Sequence, residues 1–129
     1  MSRAVLDTSV FIAREQGRPL ERPLPDEVAV SVVSIAELEL GVLVAKDPQA
    51  RSRRLRTLTD VRSLAAPLSI DERTASAYAQ LASEVLALGR TPRINDTWIA
   101  ATALVNRAEV WTSDADFADF ADAVDVIRL

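Results

Sequence analysis

Ala4-Val5-Leu6-Asp7-Thr8-Ser9 decides the fold class. An apolar run that ends in a carboxylate and two hydroxyls reads as a buried strand followed at once by a helix. Asp, Thr and Ser accept the first free backbone N–H groups of a helix, so they mark where one begins. Val10 to Arg14 then reads as a short helix, and Gly17 to Pro25, with three prolines, as a loop. The strand-to-helix step recurs at Val28 to Val33, a β-branched apolar run, which Ser34 and Glu37 follow at the capping-box spacing Ser-x-x-Glu. This predicts a helix through Leu38, Leu40, Val42 and Leu43 to about Ala45, broken by Lys46-Asp47-Pro48.

Further along, Gln49 to Leu64 is predicted helical. Leu55, Leu58, Val61 and Leu64 form its apolar stripe, and Arg51, Arg53, Arg54, Arg56 and Arg62 cover the solvated sides. Ala66 to Ile70 is a third strand, and Asp71 opens a long helix that Gly89 ends. After Thr91-Pro92 comes a helix from Ile94 to Arg107, then a strand at Val110 to Thr112. A short helix or turn from Asp114 to Ala121 and a last strand at Val124 to Ile127 complete the chain. This alternation predicts an α/β fold, a short, mostly parallel sheet of about five strands sandwiched by α-helices. The 129 residues are expected to form one domain. Sites in such folds lie at the carboxyl ends of strands, where Asp7 and Asp114 are expected.

Composition narrows the chemistry. The chain has no His and no Cys, which excludes Ser-His-Asp triads, thiol nucleophiles and ordinary zinc sites. Lys46 is the single lysine. Acid–base or metal chemistry must therefore come from Asp and Glu, hard oxygen donors that favour Mg²⁺ or Mn²⁺. No apolar run approaches the roughly 18 residues that span a membrane, and Asp7 interrupts the only short apolar stretch near the start. A cytoplasmic location without membrane contact is the expectation.

Four segments each bring an acid to a structured place: Asp7 after the first strand, Glu37 after the second, Asp96 near a helix start, and Asp114 after the fourth strand, with Asp116 two residues on. Each alone also fits a helix cap, a dipole contact or solvated surface. Together they point elsewhere. Two carboxylates about 4 Å apart repel by roughly 1 kcal/mol in water and more at lower dielectric, so a fold that gathers them calls for a divalent cation or a proton. A cation so held polarises a phosphodiester and favours ionisation of a water.

The combination resembles a known family. Val5-Leu6-Asp7-Thr8-Ser9-Val10-Phe11-Ile12 is similar to the opening of PIN-domain ribonucleases, especially the VapC-type toxins. Ser34-Ile35-Ala36-Glu37-Leu38-Glu39-Leu40-Gly41 resembles their second motif and Arg93-Ile94-Asn95-Asp96-Thr97-Trp98-Ile99-Ala100-Ala101-Thr102-Ala103 their third, although Trp98 is bulky for its place. Thr112-Ser113-Asp114-Ala115-Asp116-Phe117 resembles the fourth, which more often has Arg where Ser113 stands. The resemblance implies a PIN-like fold and Mg²⁺- or Mn²⁺-dependent endoribonuclease activity as the toxin of a toxin–antitoxin system. It makes Asp7, Glu37, Asp96 and Asp114 the catalytic, metal-binding acids and Asp116 an accessory one. Thr8 and Thr112 would hydrogen-bond the acids or a water on the ion. It also implies a VapB-like antitoxin and a homodimer.

A net charge of −4 is unusual for a nucleic-acid-binding chain. The site acids account for several of those charges, and the positive charge is almost all Arg, which suits planar phosphate contacts. Arg93, close to Asp96, is the candidate for substrate phosphate; a surface salt bridge is its other reading. Two rivals stand beside the nuclease: a non-catalytic PIN-fold module that binds RNA or protein, and a receiver-like phosphoacceptor domain. The second needs a lysine near the strand-end Asp, and Lys46 is predicted after a helix instead.

Overall fold

The computed structural model describes residues 3–129. The chain runs β1 (Arg3–Leu6), α1 (Thr8–Glu15), β2 (Glu27–Ser31), α2 (Val32–Leu43), α3 (Pro48–Leu64), β3 (Pro67–Leu68), α4 (Glu72–Ala87), α5 (Ile94–Val105), β4 (Glu109–Thr112), a 3-10 helix (Ala115–Phe120) and β5 (Val126–Arg128). The five strands form one sheet in the order β3-β2-β1-β4-β5, and every pairing is parallel.

This topology has a switch point. From β1 the chain moves outward through β2 to β3, then returns across β1 to lay down β4 and β5 on the other side. Crossovers of one hand that move in opposite directions must cover opposite faces of the sheet. The core divides accordingly. Leu6, Val30 and Trp111 pack with Phe11, Leu38, Val42, Leu58 and Val61 of α1, α2 and α3. Val5 and Val110 pack on the other face with Leu81, Val85, Ile99, Phe117 and Phe120 of α4, α5 and the 3-10 helix. Alternate residues of β1 thus serve both layers, as the period-two geometry of a strand requires.

Asp7, Asp71 and Asp114 cap the helices predicted to start at them, and Asp47, expected only to break the preceding helix, caps the next one; each accepts a backbone N–H of the helix that follows. The second helix differs from expectation. β2 ends at Ser31, whose hydroxyl accepts the Val33 N–H at 3.1 Å, so Ser31 is the cap and Ser34 lies inside α2. The third strand shrinks to Pro67–Leu68, because proline lacks a donor and suits an edge position.

The α3 stripe also narrows. Leu58 and Val61 are buried, whereas Leu55 and Leu64 are exposed. At 100° per residue, steps of three drift by about 60° each time, so the first and last members fall on opposite flanks of the middle pair. Leu40 and Leu43 are exposed for a related reason: they lie well round α2 from buried Leu38 and Val42. No helix among the described residues is long and apolar enough to cross a membrane.

Candidate active site

Parallel pairing of Leu6 with Trp111 puts the residue after β1 beside the end of β4. The Asp7 N–H extends that ladder, donating to the Trp111 carbonyl at 2.9 Å. Asp7 is only 3% exposed. Its Oδ2 accepts from the Ser9 hydroxyl (2.6 Å), the Thr112 hydroxyl (2.9 Å) and, at longer range, the Ser9 N–H (3.3 Å). These three bonds converge on one oxygen and leave Oδ1 unclaimed by them.

The hydroxyls leave no freedom in this arrangement. Ser9 Oγ gives its proton to Asp7 and accepts the Ser113 N–H at 2.9 Å. Thr112 Oγ1 gives its proton to Asp7 and accepts the Asp114 N–H at 2.9 Å. The β4 end is thereby tied to the β1 end through two hydroxyls, and Asp114 is placed next to Asp7. We expect Thr112→Val, which keeps the volume of this fully buried side chain, to destabilise the fold by about 1–3 kcal/mol through the unpaired Asp114 N–H and the lost Asp7 bond. Urea unfolding checks this; an unchanged midpoint would refute it.

Glu37 arrives from α2. Thr8 Oγ1 lies 2.6 Å from Glu37 Oε1 and 2.8 Å from Ser34 Oγ. A hydroxyl has one proton and a carboxylate only accepts, so Thr8 donates to Glu37 and the Ser34 hydroxyl completes the chain. The amide of Asn95 reaches Glu37 Oε2 at 3.4 Å. The motif Ser-x-x-Glu thus works through a third residue on α1, not as a capping box.

Asp96 stands in the first turn of α5, with its side chain 13% exposed. Its carboxyl is pushed up from the ordinary value to about 6, first by burial and then by the charge of Asp7, with Asp114 and Glu37 adding to the rise and Arg93 opposing it. Three acids from three other segments therefore act on this one carboxyl. Asp96 Oδ2 is also buried without a hydrogen-bond partner. Arg93 Nε lies 3.1 Å from that oxygen, within ion-pair distance, yet makes no hydrogen bond to it.

Arg93 reaches further. Its Nη2 is 4.0 Å from Asp114 Oδ2, and its Nη1 contacts Asp116 Oδ2. From the sequence Arg93 is a candidate for substrate phosphate; the structure lays its guanidinium against three acids instead. Among the described residues, no three acids converge closely enough to ligate one ion as their side chains stand. A guanidinium spread over Asp96, Asp114 and Asp116 supplies a physical reason. The chemistry of the candidate donors still fits a hard divalent cation: all are carboxylate oxygens, and one is buried without a hydrogen bond.

A model of the PIN domain matches residues 4–123. The chain belongs to the PIN-domain family. Within it, the chain is 47% identical over 128 residues to Ribonuclease VapC5 of Mycobacterium tuberculosis, covering 97% of this chain and 94% of that one. It is 44% identical to Ribonuclease VapC4 of the same organism, covering 98% and 97%. The crystal structure of VapBC-5, a toxin–antitoxin system of M. tuberculosis, contains a chain that superposes with a TM-score of 0.88 at 40% identity, each chain covered completely. This PIN domain is thus a VapC-type ribonuclease, and its α/β architecture agrees with its relatives.

The structure brings Asp7, Glu37, Asp96 and Asp114 to the switch point and places Thr8 and Thr112 on two of them. Sequence reasoning missed Ser9 and Asn95 as supports and misread Ser34. Ser9 had a visible signal, being the second hydroxyl directly after a strand-end Asp. Asn95 had none. The receiver-like alternative loses its lysine: Ser34 of α2 touches the site, and Lys46 follows the helix's far end, with the twelve-residue helix about 18 Å long.

Proposed function

We propose that this PIN domain cleaves RNA with a divalent cation, Mg²⁺ or Mn²⁺, held by Asp7, Glu37, Asp96 and Asp114, with Asp116 as an accessory acid. The observation that carries the reading is the buried oxygen of Asp96 that accepts no hydrogen bond, on a carboxyl that burial and three neighbouring acids push towards protonation. A buried polar atom without a partner costs about 1–3 kcal/mol, and more when charged, so its retention asks for a function. A bound cation supplies positive charge that polarises a phosphodiester and makes water more acidic.

The chain's own residues do the rest. Ser9 and Thr112 fix the Asp7 carboxyl through Oδ2, so that Oδ1 is left for the cation. Thr8, itself steadied by Ser34, aims Glu37. Arg93, on the rim, offers planar donors to a phosphate. The names of the relatives, ribonucleases and a toxin–antitoxin pair, support RNA as the substrate and a VapB-like antitoxin as the partner. Exposed Leu40, Leu43 and Val44 at the end of α2, and Leu86 and Leu88 at the end of α4, support coverage by partner chains, the antitoxin and a second copy. Such a toxin acts in the cytoplasm.

Dialysis against EDTA is expected to abolish cleavage of a mixed RNA substrate, and Mg²⁺ or Mn²⁺ to restore it. Cleavage that persisted in excess EDTA would reject the metal mechanism. Metal-bound protein without cleavage of any RNA would favour a non-catalytic module.

A further inference from the structure

We infer that Arg93 is an internal counter-ion that competes with the divalent cation for the site acids and, once displaced, becomes the phosphate-binding group. The inference rests on the metal-binding reading above. Its basis is where the guanidinium lies: against Asp96, Asp114 and Asp116 together, all of them proposed ligands. A cation ligated by these oxygens must take them from Arg93.

The residue is built for such an exchange. Its backbone is anchored, because the Arg93 carbonyl accepts both the N–H (2.9 Å) and the hydroxyl (2.5 Å) of Thr97 at the start of α5. Its side chain is held only by ion pairs: it is 55% exposed, caps nothing, and meets Asp96 Oδ2 as a charge without a hydrogen bond. The other nearby arginine, Arg90, is engaged with Asp119 and does not substitute. Guanidinium stays charged at any working pH, so the competition is present throughout. Divalent charge beside it then repels the guanidinium, whose reach keeps it at the rim with its donors free for a bidentate phosphate contact. Cation entry and substrate binding are thereby coupled through one side chain.

The test is Mn²⁺ binding, measured by calorimetry or by electron paramagnetic resonance without RNA, beside steady-state cleavage. Arg93→Gln is expected to bind Mn²⁺ about five- to tenfold more tightly than wild type, the size expected when a few half-exposed ion pairs are removed. The same variant is expected to raise the KM for RNA about tenfold. A merely structural role would weaken both. Arg93→Lys keeps the charge and is expected to bind Mn²⁺ much as wild type does. Thermal melts establish that each variant is folded, and Arg93→Ala serves if Gln is not.

Equal or weaker Mn²⁺ binding by folded Arg93→Gln overturns the inference, as does Arg93→Lys binding as tightly as Gln. Asp96→Asn separates the two levels. If wild type binds Mn²⁺ and Asp96→Asn does not, the metal site stands whatever Arg93 does. If wild type binds no Mn²⁺, the metal reading falls and the inference with it.

Discussion

Replacing Asp7 with Asn is expected to lower metal-dependent RNA cleavage by about two to three orders of magnitude with the fold retained, the scale seen when one group that stabilises transition-state charge is removed. The substitution is sharp because Asp7 is held asymmetrically. Ser9 and Thr112 present only donors to Oδ2, so the Asn oxygen must take that place to keep their bonds. Its amide nitrogen then stands where Oδ1 stood and offers N–H groups, which a cation cannot use. The oxygen still accepts the Ser9 N–H, so the start of α1 stays capped. Single-turnover cleavage and circular dichroism check both halves. Activity within tenfold of wild type in a well-folded variant would remove Asp7 from the site.

Asp96→Asn is expected to lower cleavage to a similar degree while making the metal-free protein more stable. The folded carboxyl titrates near 6, above its ordinary value of 3.8. Between those values the folded state binds more protons than the unfolded one, so stability falls as pH rises through that window and stays lower above it. Two pKa units correspond to about 3 kcal/mol, and relaxation at a partly exposed site reduces this to about 1–3 kcal/mol. Asn carries no charge to desolvate and shows no such dependence.

Melting in EDTA at pH 7.5 should therefore place Asp96→Asn several degrees above wild type, and the gap should close near pH 4. Saturating Mg²⁺ should narrow it at neutral pH, because binding stabilises only the wild-type site. The same proton competes with the cation, so the apparent Mg²⁺ affinity of wild type should fall as pH drops below about 6. A variant that melts lower than wild type in EDTA would show that Asp96 is structural.

These two acids share an origin but not an environment. Asp7 sits among hydroxyl donors that take one of its oxygens, whereas Asp96 is buried beside like charges with one oxygen that accepts no hydrogen bond. Both were visible from the sequence as acids at element boundaries, and nothing in the sequence distinguishes their states. The difference arises from Ser9 and Thr112, which lie 103 residues apart in the chain and meet across the β1–β4 switch point.

What could be read along the chain was whatever depends on neighbours within a turn or a strand. The order of strands and helices, the acids that open helices at Asp7, Asp71 and Asp114, and the positions of the four site acids all follow from local patterning. Local patterning failed where a choice among equivalent neighbours was settled by packing. Ser31 rather than Ser34 caps α2 because β2 ends where its pairing with β3 ends, at Ser31 opposite Leu68. Leu58 and Val61, not the whole α3 stripe, meet the sheet because a helix touches a flat surface along one line.

By itself the sequence determined an α/β chain with its acids at strand ends and no chemistry available except that of carboxylates and arginine. Only the tertiary structure decided that Thr8 orients Glu37, that Thr112 and Ser9 share one oxygen of Asp7, and that Arg93 lies on the acids it was expected merely to neighbour. The physical reason is range: backbone preferences and caps act over about four residues, whereas hydroxyl bonds and ion pairs form between whatever side chains the fold brings within about 3–4 Å.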